Sequence, residues 1–303
     1  MTSKRLSWTT LLILAWSVAL SRDAGALANR VFVSARSGND ANACANILTP
    51  CQTFTGAVAQ LSPAGEAIVL DSGGYGAVTI TQAVTIEAPP GVLAFIHPSS
   101  GDGVTVNAGG SDTVVLRGLV LNGGAGNGIT VNTVGVLHVE NCVISGFAQG
   151  LSFLATGELF VKDTIARNNS GTGILIGAVS GTPKGSLDRC RLEGNVNGLG
   201  ITRGSATIRD SVASGNSGSG FVASTVTATA TDLNIENCLA ANNPGIGILS
   251  SQATTTVRVS DTTVTDNGTG VFQTSSGVML SRSNNTVEGN TTNGTFTGTY
   301  TAK

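Results

Sequence analysis

The sequence predicts an all-β solenoid, a parallel β-helix with a short N-terminal capping helix. Three observations carry that expectation. A glycine-apolar pair recurs every 22 to 27 residues, short alternating apolar segments fill each interval, and a Gly or Asn corner closes it. The pairs are Gly103-Val104, Gly128-Ile129, Gly150-Leu151, Gly173-Ile174, Gly198-Leu199, Gly220-Phe221, Gly247-Ile248 and Gly270-Val271. A period that wanders while its apolar positions hold marks stacked coils with variable corners. Each coil adds about 4.8 Å, so these regular coils would form a rod of roughly 40 Å. A β-sandwich would show longer strands and recurring Asn-Gly hairpins. A leucine-rich repeat would show a Leu ladder and a helix in each unit.

Composition agrees. The chain has 303 residues, 41 of them Gly, with 11% charged and 4% aromatic residues and a net charge of -2. Low charge with abundant small and β-branched residues argues against a helical or a disordered protein. A nearly neutral chain offers no basic patch for nucleic acid or an anionic membrane.

Taken in order, the chain begins with Lys4 and Arg5, an apolar run over residues 6–20 and a small-residue stretch at 24–28. That pattern predicts a secretory signal peptide over residues 1–28, cut after Ala26 or Ala28. The run is short for a membrane span. The mature chain is therefore expected to be secreted, periplasmic or at the cell surface, without membrane contact. Residues 29–66 predict a strand at 29–37, a loop in which Cys44 and Cys51 form a disulfide, and a helix. Thr49 is the expected N-cap and Pro50 the first helical position, with Phe54, Ala57, Val58 and Leu61 at helical spacing. Residues 67–290 form the β-helix, and 291–303 a C-terminal cap or tail in which an edge is blunted. Just before it, Arg282 falls where an inward apolar residue is expected.

Aligning the coils predicts columns. Leu116, Val139, Val161, Leu187, Ile208, Ile235 and Val259 point inward from the second strand. Leu121, Ile144, Ala166, Leu192, Ala213, Ala240 and Val264 do so from the third. Asn169, Asn195, Asn216, Asn243, Asn267 and Asn290 stack at the closing corner, where Asn tolerates a left-handed backbone. Cys142, Cys190 and Cys238 lie 48 residues apart in one column, interleaved with Thr164, Ser211 and Thr262. Their sulfurs would stand roughly 9 to 10 Å apart, too far for bridging, so they are expected as buried core residues. An outward column alternates in sign: Arg117, Glu140, Lys162, Asp188, Arg209, Glu236. Its neighbour on the third strand is mostly aliphatic, with Val120, Val143, Ile165, Val212 and Leu239 offering a face for self-association.

These units resemble the pectin-lyase-like superfamily, and within it the exported bacterial right-handed β-helix repeat proteins. The resemblance covers residues 67–290. It rests on the glycine-apolar anchors, on units such as LHVENCVISG, LNIENCLAAN and VRVSDTTVTDN, and on LDSGGYGAVTI as the first coil. It implies a single-stranded right-handed parallel β-helix. The enzymes of this fold imply acidic or plant polysaccharide substrates, with active groups projecting from the first strand. Hydrolysis would need paired carboxylates and a Gly-His-Gly segment, and neither His97 nor His138 has that context. Elimination would need clustered Asp ligands for Ca²⁺ and a base, and pectinesterase-like chemistry two Asp with an Arg and a Gln. The first-strand face instead carries Thr105, Asn107, Thr130, Asn132 and Ser152, groups that hydrogen-bond sugar hydroxyls.

The expected function is therefore a non-catalytic exported protein binding glycan or another cell-surface component, with no catalytic residue, metal or cofactor. Two alternatives stand beside it. One is an enzyme acting on an uncommon polysaccharide through Asp71, Tyr75, Asp102 or Arg203. The other is a structural protein assembling through the aliphatic face.

Overall fold

The computed structural model describes residues 27–225 and 229–301. The expected signal peptide lies, up to residue 26, outside the described residues. Three parallel sheets wind together. A typical coil runs Ile129–Thr133, then Val136–Glu140, then Val143–Ser145. Each of these strands pairs in parallel with its equivalents one coil before and one coil after. We call the sheets first, second and third in that order; they hold 9, 12 and 10 strands among the described residues.

The recurring glycine has a steric cause. A Cβ on Gly128 would lie 2.6 Å from the carbonyl oxygen of Gly150, one on Gly150 2.4 Å from that of Gly173, and one on Gly220 2.6 Å from that of Gly247. The coils approach so closely along this column that no side chain fits. The same glycines make room for the corner amides: a Cβ on Gly220 would also stand 3.1 Å from Asn243 Nδ2.

Between the second and third strands the chain turns in two residues. The first adopts positive φ, as in Asn141, Asp163, Arg189, Asp210, Asn237 and Asp261. The second is Cys142, Thr164, Cys190, Ser211, Cys238 or Thr262, all buried. Thr164 Oγ1 donates to Lys162 O at 2.9 Å and accepts from Cys142 N at 3.3 Å; Ser211 Oγ likewise serves Arg209 O and Cys190 N. A small side chain with one hydrogen at this point satisfies the tight corner. Burial pushes the Cys142, Cys190 and Cys238 thiols up to about 12, so they behave as inert core groups.

The corner between the third and first strands carries the asparagine ladder. Asn169 Nδ2 donates to Asn195 Oδ1 at 2.8 Å, and the chain of bonds runs on through Asn216, Asn243 and Asn267 to Asn290 at 2.8 to 3.2 Å. The backbone N–H of each also donates to the next Oδ1. The ladder residues do not themselves take the left-handed backbone expected of them. Positive φ falls one position earlier, at Asn168, Gly194, Gly215, Asn242, Asp266 and Gly289. The ladder residue must aim its amide inward, so its neighbour makes the bend.

At the N-terminal end, β1 (Ala28–Val33) is the terminal strand of the second sheet, paired with β2 (Leu61–Val69). Between them lies α1 (Phe54–Gln60), which buries Phe54 and Ala57. The helix begins four residues later than Thr49-Pro50 suggested. Cys51 is taken by strand bonding, its N–H donating to Phe32 O and its carbonyl accepting from Ser34 N, both at 2.9 Å. Thr53 is the N-cap instead, its Oγ1 accepting from Gly56 N at 3.0 Å. Cys44 and Cys51 are joined in a disulfide with Cα atoms 5.2 Å apart. At the other end, Gly298–Thr299 adds a short strand to the second sheet. Ser281, not Arg282, fills the inward position there; Arg282 is exposed. The register places Ser281 opposite Val259, so the offset is one residue, which in a strand means the opposite face.

Both inward columns align as expected in the ladder register. So does the charged column, which gains Glu87 at its start. Val120, Val143, Ile165, Val212 and Leu239 line up on the third sheet and are half-buried; Arg191 interrupts them, paired with Glu193 at 2.6 Å.

Candidate ligand site

On the first sheet, parallel pairing puts Thr105, Thr130 and Ser152 side by side in successive coils. Their accessibilities differ. Thr105 is half-buried, Thr130 is 8% exposed and Ser152 is 4% exposed. Asn127 Nδ2 donates to Thr130 Oγ1 at 3.0 Å, and Asn127 is itself held by Asp102 Oδ1, which accepts from its backbone N–H at 2.7 Å. The two hydroxyls thus sit beneath the surface. Asn107 and Asn132 are exposed, and Asn132 Nδ2 donates to Asn107 Oδ1 at 2.8 Å. A register shift lets them meet: Thr133, not Asn132, pairs with Asn107 in the ladder, so Asn132 is the extra residue of a bulge.

The bulge opens into a cleft of about 350 Å³ at the corner where the first strands turn into the second. Asn132, Thr133, Thr156 and Ser180 give it amide and hydroxyl groups; Val134, Leu154 and Val179 give it apolar ones. Val179 is 84% exposed, an unusual position for a valine. It stands in a corner lengthened in the coil between Gly173 and Gly198, which spans 25 residues. Gly181, at φ 71°, turns that corner back so that a Cβ there would come 2.8 Å from Thr156 Cγ2. Among the described residues, no carboxylate, imidazole or amine lines the cleft. Sequence reading offered only Asn132 of this group as a ligand-binding candidate, because most of the others come from neighbouring coils and lie in the corners that follow the strands. The available signal was that the 173–198 interval, at 25 residues, exceeds the 23 and 22 of the intervals on either side.

Of the residues considered for atypical catalysis, Asp71, Tyr75 and Asp102 hold the fold together. Asp71 accepts from Ser34 Oγ at 2.6 Å, Ala35 N at 2.9 Å and Tyr75 Oη at 2.6 Å, fastening the chain beyond β1 to the first coil. Burial raises its pKa, but the bonds from Ser34, Tyr75, Ala35 and Arg36 outweigh this, leaving the carboxyl below its usual range. Tyr75 is fully buried and stacks on Phe54 at 5.0 Å, its hydroxyl held protonated by burial and by Asp71. Asp102 serves Asn127 as described. Arg203 sits between two strands, Asn197–Ile201 and Gly204–Arg209, in a later coil.

One aromatic pair escaped the sequence reading. His138 and Phe160 face each other across the second sheet, centroids 5.0 Å apart and planes 13° apart. They occupy the column two residues before Glu140 and Lys162, so reading that second outward column would have found them.

A solenoid of parallel coils with a buried amide ladder and a neutral corner cleft is a β-helix protein. The chain matches the family model described as "Right handed beta helix region" over residues 67–231, more than half its length, and belongs to that family. Its fold is similar to that of the pectate lyase Pel9A, with 17% identity, a TM-score of 0.68, and coverage of 90% of this chain and 78% of that one. It is also similar to the A-module of the mannuronan C-5 epimerase AlgE6 from Azotobacter vinelandii, with 12% identity, a TM-score of 0.51, and coverage of 78% and 89%. No curated protein matches the chain in sequence.

Proposed function

We propose that the protein is an exported, non-catalytic β-helix that binds neutral glycan through the corner cleft around Asn132. The observation that carries this reading is the composition of the cleft. Amide and hydroxyl groups suit sugar hydroxyls, the aliphatic side chains suit the C–H faces of a sugar ring, and among the described residues its lining has no group able to take or give a proton near neutral pH. Two solved structures sharing the fold are named for action on pectate and mannuronan, which supports a saccharide ligand. Export is supported by the N-terminal pattern at residues 1–28 and by the Cys44–Cys51 disulfide, which persists in an oxidising compartment. Ala28 already pairs with Leu61, so cleavage after Ala26 leaves β1 whole.

A neutral-glycan array tests the proposal. At least one ligand should be retained, and Asn132→Ala should weaken it about tenfold, the loss of roughly one net hydrogen bond. An empty array would sink it. Incubation with a polysaccharide panel, with and without Ca²⁺, should release no new reducing ends or unsaturated products; release would replace the binding reading with an enzymatic one.

A further inference from the structure

The outer face of the second sheet holds another cleft, of about 290 Å³, lined by His138, Glu140, Phe160, Lys162, Ser186, Asp188 and Arg209. Its chemistry differs from that of the corner. Phe160 has His138 as its ladder partner on one side and Ser186 on the other. The imidazole covers one face of the phenyl ring at 5.0 Å. Ser186 is too small to cover the second, and Phe160 remains 37% exposed. The ring column therefore stops one member short, and the gap lies in the cleft.

The charges around it are unequally satisfied. Glu140 is paired with Arg117 at 2.8 Å and approached by His138 at 3.9 Å. Asp188 is paired with Arg189 at 2.7 Å and with Arg209 at 3.1 Å. Lys162 takes part in none of the ion pairs among the described residues, although through space it helps hold the Asp163 carboxyl down. The charge left unspent at the rim is thus positive, and the surface left uncovered is aromatic.

We propose that this cleft binds a six-membered ring bearing an anionic group, the ring lying on the open face of Phe160 and the anion on Lys162. An aromatic carboxylate and a carboxylate-bearing sugar share that chemistry: both put a flat C–H or π surface on the phenyl ring and an oxyanion on the ammonium. The site is separate from the corner cleft in sheet, lining and charge, and stands whether or not neutral glycan binds there.

Titration of the full chain with 4-hydroxybenzoate and with galacturonate, followed by calorimetry and by NMR, tests it. Benzyl alcohol and galactose are the neutral controls. At least one acid should bind saturably, and its neutral counterpart at least about tenfold more weakly, about 1.4 kcal/mol. Binding of only one acid assigns the source; binding of both assigns a general ring-acid site. Lys162→Gln should remove most of the preference for the acid. Ser186→Phe continues the ring column in a residue type that favours strands, and should abolish binding while Ser186→Ala leaves it intact. Should Ser186→Phe fail to fold, Phe160→Leu reads the same contact and should weaken binding about tenfold. No saturable binding of either acid, equal binding of the neutral rings, or binding indifferent to both ring variants would overturn the proposal.

Discussion

The asparagine ladder and the charged column are built alike and behave differently. Each places one polar side chain per coil above its equivalent in the next, and each is read from the sequence by the same alignment. Asn169, Asn195, Asn216, Asn243 and Asn267 are all at least 97% buried, and the chain of bonds is unbroken from Asn169 to Asn290. Among the described residues, the ion pairs of the charged column join Glu87, Arg117 and Glu140 in sequence and Asp188 with Arg209 separately, and Lys162, between them, takes part in none. Burial explains the contrast. An amide away from water must find its partners or forfeit its solvation, whereas an exposed ammonium keeps its water and gains little from a carboxylate nearby.

The largest expected loss comes from the glycine that makes the ladder possible. Gly220→Ala would drive a methyl group to 2.6 Å from Gly247 O and 3.1 Å from Asn243 Nδ2. Neither neighbour is the free end of a flexible chain, so the coils must part. Chemical denaturation should show a loss of about 3 kcal/mol or more, the upper range for overpacking. A loss below about 1 kcal/mol would mean the coils are not in close contact there.

Removing a ladder rung comes next. Asn216 Oδ1 accepts from both Asn195 N and Asn195 Nδ2, while its own Nδ2 donates to Leu192 O and Asn243 Oδ1. Asn216→Ala removes four interior hydrogen bonds, and although Asn195 Nδ2 keeps Ala166 O and Asn243 Oδ1 keeps the backbone N–H of residue 216, it should cost about 2 to 3 kcal/mol. Asn290→Ala, at the more exposed end, should cost less, and equal costs would contradict the account from burial.

Asp71 is a charge used in the manner of a ladder amide. Its folded pKa is lowered, so it contributes stability above its unfolded value of about 3.8 and loses that contribution as pH falls through the folded value. Wild type should therefore lose stability on acidification below about pH 4, and Asp71→Asn should flatten that part of the profile. An unchanged slope would show that the carboxylate is not what fastens the chain beyond β1.

Much of this was legible before the structure. The glycine pairs marked the coils, and alternation fixed which side chains point inward, because a strand admits only two faces. Legibility stopped where geometry depends on two coils at once. Thr49-Pro50 has the chemistry of a helix start, yet strand bonding by Cys51 overrides it. Asn132 was read as one more outward residue, but the bulge that turns it toward Asn107 and the corner cleft is a property of two strands of unequal length. The His138–Phe160 stack was hidden differently: either residue alone is unremarkable, and only their shared column makes a platform.

The smallest effect is expected in the charged column, and it is the one most diagnostic of the difference from the ladder. Arg117 carries two ion pairs, to Glu87 at 3.2 Å and to Glu140 at 2.8 Å, with its side chain 40% exposed. These contacts hold the guanidinium firmly in its charged form. Screened by water, they should nonetheless be worth no more than about 1 kcal/mol together. Arg117→Gln should lower stability by that much at about 0.1 M salt and by less at about 1 M, where the Debye length shrinks to about 3 Å. Asn216→Ala should cost the same at both. If salt changed neither variant, the Arg117 contacts would be stabilising through packing of the side-chain stem, and the column would resemble the ladder more closely than its exposure implies.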